Sequence, residues 1–140
     1  MTTTVSLERW LEAAAAVQLG VAMLNLKLVR WLRWRVELLG LPLLMREVFQ
    51  VHVWFISLTL AIFGVTTLRF AGLMASRANP ALAWLAAALA IFWGLRVVVQ
   101  VGYYSASHWR GDTARTVVHL LLLIVYGGIT AVYGIAAWGS

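Results

Sequence analysis

The 140-residue chain is 63% hydrophobic and only 11% charged, far more apolar than a water-soluble domain. Its formal charge of +6 is spread among tryptophans and apolar runs, which points to phospholipid headgroups as the counter-charge and away from nucleic acid. Cysteine is absent, so disulfides, thiolate metal sites and cysteine nucleophiles are excluded.

Residues 1 to 10, MTTTVSLERW, lack the basic start and small-residue cleavage site of a secretory signal and are expected to be retained. An alanine-rich run follows, interrupted by Glu12, Gln18, Asn25 and Lys27. It is long enough to span over about 11–29 with Glu12 and Lys27 at the two interfaces; otherwise it lies along the surface and three spans remain. Next, Arg30, Arg33 and Arg35 alternate with Trp31 and Trp34. That pattern predicts an interfacial amphipathic segment over about 30–46, broken near Gly40 and Pro42 and serving as a positive-inside anchor.

Val48 to Leu68 is an apolar second span bounded by Arg46 and Glu47 before it and Arg69 after it. His52, Thr59 and Thr66 share one of its faces. Asn79 followed by Pro80 reads as an N-cap and a first-turn proline opening a third span, which runs to Tyr104. After a loop over 105–115, Asp112 or Thr113 caps the last span, about 116–138, where His119, Tyr126, Thr130 and Tyr133 share a face. Gly127, Gly128 and Gly134 are expected to let a neighbouring helix approach closely. His108, in the loop, reads as solvated, and Arg110-Gly111-Asp112 falls on the inner side, where an adhesion motif has no use.

These elements make an all-α polytopic membrane helical bundle. It has one domain over 1–140, four transmembrane helices at about 11–29, 48–68, 80–104 and 116–138, and the interfacial segment. Basic residues concentrate in 30–47 and 105–115, so both loops are predicted to be cytoplasmic in a multi-pass protein of the bacterial inner membrane, with both termini outside.

The third span carries Trp93, Arg96, Gln100 and Tyr103 in one stripe. Counting from the inner boundaries places His52, Gln100 and His119 about 6 to 8 Å inside the same interface. Arg96 is about a turn deeper and can snorkel back to that level. Polar groups in lipid turn toward protein, so His52, Trp93, Arg96, Gln100, Tyr103 and His119 are the candidate lining of an inner-leaflet pocket. Trp54 is a second candidate wall, and Tyr104 sits with Tyr103 at the mouth.

Several readings share these residues. The histidines serve as interfacial or helix-to-helix hydrogen-bonding groups; or the donors hold a lipid phosphate or a quinone carbonyl. Equal depth is also what bis-imidazole ligation of a haem b by His52 and His119 requires, with Arg96 near a propionate. A proton carrier is the catalytic version. There is no phosphate-binding glycine loop, no HExxH and no paired carboxylate, which points to a non-enzymatic subunit or scaffold. Its partners are then the lipid bilayer and another membrane protein or a second copy.

REVFQVHVWF at the start of the second span and FWGLRVVVQVGYY at the end of the third resemble a group of small bacterial membrane proteins of unassigned activity. The likeness covers residues 44 to 135. It implies four membrane helices and draws attention to His52, Trp93, Arg96 and Gln100, while implying no activity.

Overall fold

The computed structural model describes residues 2–31, 39–103 and 113–139, and every regular element in them is α-helical. The order is α1 (Thr2–Trp31), α2 (Leu43–Ser76), α3 (Pro80–Gly102) and α4 (Thr113–Trp138). Arg33, Trp34 and Arg35 of the expected interfacial segment lie outside the described residues, as do Tyr104, His108, Arg110 and Asp112.

Among the described residues three helices are long and apolar enough to cross a membrane: α2, α3 and, over Thr116–Trp138, α4. Only 17%, 28% and 22% of their most apolar windows is buried, so most of each apolar surface faces outward, as contact with lipid requires. At about 45 Å, α1 has the length, but Glu8, Arg9, Glu12 and Lys27 keep it less apolar than the other three.

Helix ends correct two of the expected boundaries. α1 starts at Thr2, well before residue 11, because polar residues end a membrane segment without ending a helix; the Ser6 hydroxyl is satisfied by the Thr3 carbonyl at 2.8 Å. Likewise α2 opens at Leu43 and runs past Arg69 to Ser76. Its first helical bond is Arg46 N–H to the Pro42 carbonyl at 3.2 Å, and proline before the first turn sacrifices no donor the helix needs. The expected break at Gly40 and Pro42 is therefore the start of α2, and residues 43–46 belong to that helix.

The turn between α2 and α3 is short and tightly specified. Arg77 takes a left-handed conformation, φ 55°, and ends α2. The Asn79 side chain accepts from Ala81 N–H at 2.9 Å while Pro80 occupies the first turn of α3.

The described chain divides into two compact units, Ala15–Arg69 and Met1–Ala14 with Phe70–Ser140. In the first, α1 and α2 approach so closely at Gly64 that a Cβ there would lie 2.8 Å from Leu19 Cγ and 3.1 Å from the Ala15 carbonyl. The inward residues of α2 in this unit are Ser57, Leu60, Gly64 and Thr67. The stripe of His52, Thr59 and Thr66 lies about a third of a turn to one side, and His52 is exposed.

In the second unit α3 packs against α4. Ala86, Ala87, Leu89, Ala90 and Trp93 of α3 are buried, as are Tyr126, Ile129, Tyr133 and Ala136 of α4. Small side chains on α3 let the aromatic ones of α4 reach in, and Gly94 meets Thr130 in ordinary contact, at 3.6 Å from a Cβ. Among the described residues the close approach expected at Gly127, Gly128 and Gly134 is not made: a Cβ at any of them meets nothing there within 4 Å. Two contacts hold the other members of this unit. The Glu8 carboxylate lies over Gly72, and the Arg77 guanidinium donates to the carbonyls of Gly139 and, at 2.9 Å, Ile135 at the end of α4. A cation there satisfies orphan carbonyls and opposes the helix dipole.

Candidate functional site

The antiparallel contact of α3 and α4 builds the site. Gln100 and His119, counted from the sequence to a common depth, meet: the Gln100 amide nitrogen lies 2.9 Å from His119 Nδ1. The two groups are within hydrogen-bond distance, and which of them donates is set by the imidazole tautomer. Gln100 is buried and His119 half-buried. A buried amide next to hydrocarbon needs such a partner, since leaving it unpaired costs about 1–3 kcal/mol.

One to two turns further into the helices sits a second cluster. Trp93 is fully buried, with its ring 5.2 Å from that of Tyr126 and edge-on to Phe92 at 5.6 Å. The Arg96 guanidinium carbon lies 5.7 Å from the Tyr126 ring centre. Arg96, which could snorkel back toward the interface, reaches a ring carried by the middle of α4. The reason is geometric: helical side chains lean toward the N-terminus of their own helix, and for α3 that direction leads away from the Gln100 end.

Among the described residues the charge of Arg96 is not balanced. An arginine inside an apolar span costs about 2.5–3.5 kcal/mol on insertion scales, and a cation–π contact returns about 0.5–2 kcal/mol. Neither α3 nor α4 contains an aspartate or glutamate. Among the described residues no carboxylate pairs with Arg96, which is half-buried.

The remaining candidates lie each within its own unit. Tyr103 caps the end of α3 through its N–H to the Val99 carbonyl, 3.0 Å, and its side chain is 82% exposed. His52 belongs to the 15–69 unit, where its Nδ1 lies 3.3 Å from the Val48 carbonyl. It is the one polar member of a groove of about 560 Å³ otherwise formed by Leu41, Met45, Val48, Phe49, Val53 and Ile56. Trp54, considered as a wall, is exposed on α2.

Tyr126 is the residue that sequence reasoning left out of the pocket. Its spacing of two turns from His119 placed it on the right face, but only the lean of Arg96 makes it the cation's partner.

A ligating imidazole uses one nitrogen and donates a hydrogen bond from the other. His52 has its Nδ1 beside the Val48 carbonyl, and His119 has its Nδ1 beside the side-chain amide of Gln100. The two histidines belong to different compact units.

No protein family, no curated protein and no solved structure matches the chain.

Proposed function

We propose that this chain is a non-enzymatic subunit or scaffold of the bacterial cytoplasmic membrane whose α3–α4 polar stripe docks a membrane-embedded partner helix. The observation that carries this reading is the stripe itself: a hydrogen-bonded Gln100–His119 pair and a half-buried Arg96 on helices whose remaining outward surface is apolar. Polar side chains at such positions hold transmembrane helices together, because in hydrocarbon they have no water to turn to. A lipid headgroup phosphate or a quinone carbonyl would use the same donors. In this reading the start of α2, the end of α3 and the start of α4 face the cytoplasm, following the arginine excess there.

Native mass spectrometry of the chain extracted in mild detergent tests it. The wild type is expected to carry a bound polypeptide that Gln100→Leu with His119→Leu releases. A wild type that flies at the mass of the bare 15.5 kDa chain, or with only a lipid or quinone attached, would refute helix docking.

A further inference from the structure

Arg96 asks for a specific kind of partner. Its guanidinium is held toward the middle of α3 and α4, on the Tyr126 ring, and no carboxylate of the described chain reaches it. Beside it Trp93 is fully buried against Tyr126, and one turn along α3 Gln100 is engaged with His119. A strong cation in that setting is matched by a carboxylate at the same depth, which a phospholipid phosphate at the membrane surface does not provide.

The surface around it has the form of a helix seam. Ala88, Phe92, Arg96, Val99 and Tyr103 follow at steps of four, four, three and four along α3, and none of them is buried. That is the repeat by which one helix lies along another at a small crossing angle. The charge falls inside the seam, so a facing helix meets it within the apolar span.

We infer that Arg96 docks a spanning helix of a different membrane protein, one carrying an aspartate or glutamate near mid-bilayer. The inference rests on the helix-docking reading above and adds the partner's chemistry. A second copy of this chain does not supply the group from its apolar helices: among α2, α3 and α4 the sole carboxylate is Glu47, in the opening turns of α2. The aromatic ring of Tyr126 holds the guanidinium in place beforehand, so the incoming carboxylate finds an oriented, partly desolvated donor.

The test uses the full chain in phosphatidylcholine vesicles with synthetic leucine-rich spanning peptides of about 20 residues. The peptides are identical except for a central Glu, Gln, Leu or Lys. Energy transfer between labelled chain and labelled peptide reads association. The Glu peptide is expected to bind about tenfold more tightly than the Leu peptide. Arg96→Leu should erase that difference, Arg96→Lys should keep part of it, and Arg96→Glu should move the preference to the Lys peptide. Circular dichroism of each variant confirms that its helices form.

Equal binding of the Glu and Gln peptides would overturn the carboxylate inference while leaving helix docking in place. Absence of association with any peptide would overturn both. An Arg96-dependent thermal stabilisation by phosphatidylglycerol, with no effect of the Glu peptide, would assign the cation to a phosphate and overturn the inference. So would self-association of the chain alone that Glu12→Gln abolishes, since the carboxylate would then come from a second copy.

Discussion

Arg77 joins the α2–α3 turn to the end of α4, and its replacement by alanine and by glycine should differ in a way that separates two opposing effects. The guanidinium donates to the carbonyls of Ile135 and Gly139, and Gly139 N–H also bonds the Ile135 carbonyl at 2.9 Å. Charged hydrogen bonds contribute about 1.5–3 kcal/mol each, and partial exposure places this pair toward the low end, about 2–3 kcal/mol together. Against that, Arg77 holds φ 55°, a conformation costing a non-glycine residue about 1–2 kcal/mol. Arg77→Ala loses the clasp and keeps the strain, so about 2–3 kcal/mol of stability should go. Arg77→Gly loses the same clasp but relieves the strain, leaving a net loss of about 1 kcal/mol, with glycine's greater freedom in the unfolded chain taking back part of the relief. Reversible denaturant titration of both variants in detergent, followed by far-UV circular dichroism, measures the two losses. Alanine as stable as glycine, or both as stable as wild type, would refute the argument. Gly139→Ala should be destabilising as well, because a Cβ there falls 2.6 Å from both the Ile135 carbonyl oxygen and Arg77 Nη2.

Other substitutions probe the helix contacts and the stripe. Gly64→Ala should cost about 1–3 kcal/mol in the same titration, since its methyl enters Leu19 and the Ala15 carbonyl, whereas Gly128→Ala should be neutral or stabilising by up to about 1 kcal/mol in the isolated chain. Equal effects at the two positions would contradict the packing. Gln100→Leu should destabilise by about 1–3 kcal/mol by leaving the imidazole of His119 without its amide, and adding His119→Leu should cost less than the two changes summed. Strict additivity in that double-mutant cycle would mean the bond contributes nothing.

Much of the architecture was legible from one sequence because hydrocarbon imposes a length and a composition that few other environments require. Apolar runs of about 20 residues disclosed α2, α3 and α4, and Asn79-Pro80 marked the start of α3 through local capping chemistry alone. Charges were a poorer guide to helix ends. Arg69 sits inside α2 and Glu8 inside α1, because a charge can stop a membrane segment while the backbone hydrogen bonds continue. Residue counting also placed Gln100 and His119 at one depth, since helical rise is nearly constant.

Tertiary structure decided which way each face turned. Periodicity grouped His52, Thr59 and Thr66, yet Ser57 and Thr67 face inward, because in a helix that is apolar all round the pattern does not say which side meets protein and which meets lipid. The same ambiguity hid the glycines: Gly64 and Gly72 bear the close contacts and Gly127, Gly128 and Gly134 do not. Arg96 shows the point most sharply. Its depth could be counted, but the direction of its side chain depended on the lean of α3 and on Tyr126 standing opposite, and that pairing exists only once two helices pack antiparallel.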